Sequence, residues 1–122
     1  MPHYEAALAI EPDAVLPLNN LAWVLATCFE PALRDGPKAV ELAKRAVSFS
    51  GGNDPIGLRT LAAAYAESGR FPEAIAVVNQ ALPLARAAGN LALAADLEAN
   101  LADFGRRRPV RDASLTTPEP LP

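Results

Sequence analysis

Two stretches of this chain repeat. Set over one another, LNNLAWVL (18–25) and LRTLAAAY (58–65) place Leu18, Leu21 and Ala22 on Leu58, Leu61 and Ala62. KAVELAKRAV (38–47) and EAIAVVNQAL (73–82) register in the same way, with Ala39 on Ala74 and Ala46 on Ala81. Leu18, Leu21, Ala22 and Leu25 follow the i, i+3, i+4, i+7 spacing of a helix with one buried face. A helix pair used twice cannot bury its apolar face alone, so such a chain folds by stacking one pair on the next. The expected class is all-α.

Composition agrees with helices. Hydrophobic residues make up 51% of the 122 residues and aromatics only 6%, so the apolar content is Ala, Leu and Val. Ala and Leu favour helix, and period-two clusters of β-branched residues are scarce, which argues against a sheet. One domain with one core is sustainable at this length. A net charge of −3 gives no basic field for nucleic acid. The run Arg106, Arg107, Arg108 with Arg111 lacks interleaved aromatics and suits the end of a helix, where cations meet the dipole. One cysteine, Cys28, makes no intrachain disulfide. Cys28 and the single His3 supply too few ligands for a metal, and no base stands near Cys28 in sequence to activate it. A small apolar residue at a helix end is the expectation for Cys28. No cofactor is expected. No apolar run approaches the roughly 20 residues of a membrane span, the start of the sequence does not read as a signal peptide, and a cytoplasmic location is the default expectation.

Punctuation divides the chain. Tyr4 to Ile10 reads as the last turns of a helix, ended by Pro12. The next helix runs from Asp13 or Ala14 to about Thr27. Asp35 or Gly36 caps a helix with Pro37 near its start, and SGGN (50–53) stops it. Glu41 and Arg45 stand at the favourable i, i+4 spacing on that helix. Asp54-Pro55 is the clearest start signal, and Gly69 closes that helix. Another helix opens near Pro72, with Pro83 inside it, where a kink or a weakened turn is expected. A last helix spans Leu91 to about Phe104, and the chain from Pro109 is expected to be disordered.

Leu58, Leu61, Ala62, Tyr65, Gly69, Phe71, Ala74 and Ala81 together resemble a tetratricopeptide repeat, a family with a period of about 34 residues. Leu58 stands where the family usually has Trp, Ala62 where it has Gly, and Val78 where it has a second-helix aromatic. The Ala-rich style is similar to that of bacterial members. Ala46 and Ala81 lie 35 positions apart, close to one period, whereas Ala7 and Ala46 lie 39 apart. Ala22 to Ala39 is 17 positions but Ala62 to Ala74 only 12, so the five-residue excess falls between the two helices of the middle repeat, at 28–36.

The resemblance implies a right-handed α-solenoid of antiparallel helix pairs. Its expected parts are a second-helix remnant (1–12), a repeat with a lengthened join (13–53), a second repeat (54–89), a C-terminal capping helix (90–105) and a disordered tail (106–122). It also implies a non-enzymatic module that holds a peptide or partner helix in a concave groove lined by the first helix of each pair. Carried over by position, the groove residues are Leu16, Asn19, Asn20, Trp23 and Thr27, then Ile56, Arg59, Thr60, Ala63 and Glu67. Asn20 matches an asparagine that hydrogen-bonds peptide backbone in relatives; Thr60 stands at the next equivalent position. Ile56 and Thr60 replace polar residues of the carboxylate clamp in chaperone-binding relatives, so that activity is not expected. Trp23 suits either the core, where tryptophan is usually largely buried, or the groove; its position two residues after Leu21 turns it off the apolar stripe and favours the groove. The alternative is structural: Tyr4, Leu8 and Ile10 lack a partner helix, so the chain either ends a longer array or self-associates, as a homodimer, through that open end. The lengthened join is a second candidate contact surface.

Overall fold

The computed structural model describes residues 15–28, 32 and 34–112. Tyr4, Leu8 and Ile10, the segment 1–12 that holds them, and residues 113–122 lie outside the described residues. Those described form five α-helices: α1 (Val15–Thr27), α2 (Gly36–Phe49), α3 (Pro55–Glu67), α4 (Phe71–Ala87) and α5 (Leu91–Gly105). The chain is all-α, as its composition predicts.

The start signals act as expected. Asp35 accepts a hydrogen bond from the Lys38 amide at 3.1 Å, with Pro37 in the first turn of α2. Asp54 accepts from the Ile56 amide at 3.0 Å and Pro55 opens α3. Asn90 accepts from the Leu93 amide at 3.1 Å and opens α5. Each satisfies an amide that the helix itself leaves unpaired, a contribution of about 1 kcal/mol. Helix α4 runs from Phe71 to Ala87 through the exposed Pro83 without ending there.

The stops share one design. After α3, Gly69 donates to the Ala66 carbonyl and Arg70 to the Tyr65 carbonyl. Gly69 is left-handed, with φ +78°. The same pair of backbone bonds closes α5, from Arg107 to Phe104 and from Arg108 to Asp103. There the left-handed position, φ 58°, is held by Arg107 and not by glycine. An L-residue pays a steric penalty in that region.

Consecutive helices pack on one another; α1 also packs on α3, and α3 more narrowly on α5. Alanines make these approaches close: Ala22, Ala26, Ala39, Ala43, Ala62, Ala64, Ala74, Ala81 and Ala85 are all fully buried. Leu18, Leu21, Leu58 and Leu97 fill the space between. Burying each stabilises the fold by about 1.5–3 kcal/mol. Phe104 of α5 is buried against Phe71 of α4, with ring centroids 6.3 Å apart. Helix α5 thereby covers the apolar face that α4 presents.

The segment after α5 departs from expectation. Val110 is buried in the core cluster, and Arg111 and Asp112 contact α1 and α3. Its composition reads as solvated because a single valine supplies its apolar anchor and its remaining partners are charged or main-chain groups.

Candidate functional site

Because α1 and α3 lie side by side, equivalent positions of the two repeats meet. Asn19, Asn20 and Trp23 of α1 face Ile56, Arg59 and Thr60 of α3 across an open recess of about 200 Å³, closed at one side by Leu93 of α5. Six residues expected at a groove, Asn19, Asn20, Trp23, Ile56, Arg59 and Thr60, therefore share one recess. Thr27, Ala63 and Glu67 do not line it. Thr27 and Ala63 are buried, and Glu67 lies at the end of α3 under two arginines.

The centre of the recess is a stack. The Arg59 guanidinium carbon lies 4.6 Å from the centroid of the Trp23 ring, a cation–π contact strengthened where water is excluded. Arg59 Nε donates to Asn100 Oδ1 at 2.8 Å. Asn100 is a buried polar residue on the apolar stripe of α5, and it fixes the plane of the guanidinium. Burial pushes the Arg59 pKa down, while Asp96 and Asp112 pull it up. The group stays cationic throughout the physiological range. Thr60 donates to the Ile56 carbonyl at 3.3 Å and Thr27 to the Trp23 carbonyl at 2.7 Å, so both hydroxyl protons are spent within their own helices. The Asn19 side-chain oxygen is buried without a hydrogen-bond partner. Ile56 is 53% exposed at the rim.

A second cluster lies at the other end of the same face. Glu67 receives Arg34 Nε at 3.4 Å and Arg111 Nη1 at 2.8 Å, all three side chains being largely covered. Arg34 also donates to the Cys28 carbonyl at 3.0 Å, just past the end of α1. Cys28 is buried and pairs in parallel with Asp112. Asp112 Oδ2 accepts the Trp23 indole N–H at 2.7 Å, and the Asp112 amide donates to the Thr27 carbonyl at 2.9 Å.

Asn100, Leu93 and Asp112 carry no sequence expectation, and Arg111 is expected only as one of the cations after the last helix. Asn100 had a signal: it falls on the stripe of Leu93, Leu97 and Phe104, where a polar residue calls for a partner. Arg111 and Asp112 had none, since their partners are far away in sequence.

Among the described residues no group of three His, Cys, Asp or Glu side chains is placed to hold a metal, and no helix is long and apolar enough to cross a membrane. What the recess offers is a planar cation on an aromatic face, two carboxamides and an apolar rim: groups that bind and orient. No family model matches the sequence, and neither curated proteins nor solved structures give a match.

Proposed function

We propose that this chain is a non-enzymatic interaction module of tetratricopeptide type, whose helix pairs stack as a right-handed solenoid. It holds a peptide or a partner helix along the face shared by α1 and α3. The cytoplasmic location rests on sequence alone. One observation carries the functional proposal: residues of two stretches some 40 positions apart, Asn19, Asn20 and Trp23 with Arg59 and Thr60, line one recess. Their chemistry supports binding over catalysis. Asn19 and Asn20 carry both donors and acceptors. Trp and Arg are the side chains that most often dominate binding energy. Among the described residues that line the recess, Arg59 is the one ionisable group, and it is an obligate cation that does not exchange a proton near neutral pH.

Affinity capture tests this with wild type and with Asn20→Ala/Arg59→Ala. The variant is expected to lose its specific partners by about tenfold or more in recovery, with unchanged helicity by circular dichroism. Equal recovery of the same partners by both proteins sinks the assignment.

A further inference from the structure

The face of α1 and α3 already holds an extended peptide, and it belongs to this chain. Val110 is buried, Arg111 meets Glu67, and Asp112 takes the Trp23 indole N–H through its carboxylate and the Thr27 carbonyl through its amide. Each group of the receptor surface reads something different. The Glu67 carboxylate selects a cation, the indole N–H selects an acceptor one residue later, and the Thr27 carbonyl takes a main-chain amide. Such pairing of an extended segment through main-chain bonds, with side chains setting specificity, is a general mode of peptide recognition.

We propose that Trp23, Thr27 and Glu67 form a receptor for an extended apolar–Arg–Asp segment. Val110–Asp112 is its resident occupant, and a partner segment of the same chemistry replaces it. The proposal rests on the groove assignment above, and it names the partner's recognition sequence and the contact that must give way. Trp23 joins the two regions, because its ring lines the recess and its indole nitrogen holds Asp112.

Replacement is a question of effective concentration. A short tether presents its segment at roughly millimolar strength. A partner offering only three matching residues therefore does not displace it at ordinary concentrations. One that continues past Trp23 into the recess adds contacts there, at Asn19, whose side-chain oxygen is buried without a hydrogen-bond partner. The root of the segment also favours release: Arg107 is left-handed at a helix stop where α3 has Gly69 and α4 has Gly89. Freed of its contacts, that residue relaxes to an ordinary conformation.

The single tryptophan gives one indole N–H resonance, which reports the Asp112 contact directly. The full-length Arg111→Ala/Asp112→Ala variant is titrated with a synthetic peptide of residues 106–115, RRRPVRDASL. The variant's indole resonance is expected to move from its wild-type position and to return, saturably, at millimolar peptide. Wild type should need at least about tenfold more peptide. A peptide with Ala at the Arg and Asp positions should do nothing. A folded variant whose indole resonance ignores the peptide, or follows the Ala peptide equally, overturns the proposal. Should the double variant lose helicity, Asp112→Asn takes its place. It is expected to exchange at lower peptide concentration than wild type, and equal midpoints overturn the proposal. The titration turns on the Arg and Asp of the peptide, and capture turns on Asn20 and Arg59 of the recess, so failure of one is distinguishable from failure of the other.

Discussion

The α1–α2 pair and the α3–α4 pair share an apolar register but are joined in different ways. The short join is closed by its own backbone: Gly69 bonds Ala66, Arg70 bonds Tyr65, and α4 starts at once. The long join uses distant groups. The Asp35 amide returns to the Leu25 carbonyl at 2.9 Å, Arg34 reaches the Cys28 carbonyl and then Glu67, and Gly36 lies against Glu67 and Ser68. The added length thus acts as a brace between the two pairs. A local turn tolerates change according to its own φ; a brace tolerates it according to what it leans on.

The largest expected effect separates two glycines on that basis. A Cβ at Gly36 would lie 2.6 Å from Ser68 Oγ and 2.9 Å from the Ser68 amide nitrogen. The hydroxyl can rotate but the backbone must move, so Gly36→Ala is expected to cost about 2–3 kcal/mol. Gly69 has nothing near its Cβ position, and only its φ of +78° resists substitution; Gly69→Ala is expected to cost about 1 kcal/mol. Urea midpoints at constant m-value measure both. Ser68→Ala should relieve part of the Gly36→Ala cost and none of the Gly69→Ala cost. Equal costs at the two glycines would break the comparison.

Glu67 comes next. It is the anchor shared by the long join, through Arg34, and the C-terminal segment, through Arg111. Glu67→Ala leaves two largely covered guanidinium groups without their counter-charge, a cost of roughly 1–3 kcal/mol. Removing Asp35 or Asp54, the caps of α2 and α3, should cost about 1 kcal/mol each. Thermal unfolding orders the three. A Glu67→Ala effect no larger than that of either cap would mean that the brace carries little.

These contrasts also mark what sequence makes legible. Asp54-Pro55 and Gly69 act through groups within three residues, so their roles can be read locally. The recess could be anticipated because the repeat brings Asn20 and Thr60 to equivalent positions, and stacking α1 on α3 does the rest. Trp23 with Asp112, 89 positions apart, and Arg59 with Asn100, 41 apart, follow no repeat. Charged residues after a helix end read as solvated by composition, and only the buried Val110 ties this segment to the core. Thr27 and Ala63 fall on the expected helices but are covered, because helical register fixes the face of a residue and not what later lies over it.

The smallest effect sharpens the contrast between a braced and a local ion pair. Arg70 Nε meets Glu73 at 2.8 Å within the first turn of α4, with both side chains well exposed. The Arg70 hydrogen bond is the main cause of a Glu73 pKa below the usual value. A carboxylate whose pKa is depressed in the folded state contributes stability above its unfolded pKa and loses it as pH falls through the folded one. The small difference in melting temperature between wild type and Glu73→Gln should therefore be present at neutral pH. It should fade as the pH drops below the ordinary glutamate value of about 4.3. Because the pair is exposed, about 1 M salt should remove the same difference. The Glu67→Ala cost should largely survive that salt, because Arg34 and Arg111 screen Glu67 from solvent. If salt erases both effects alike, the long join is no more a brace than the short one.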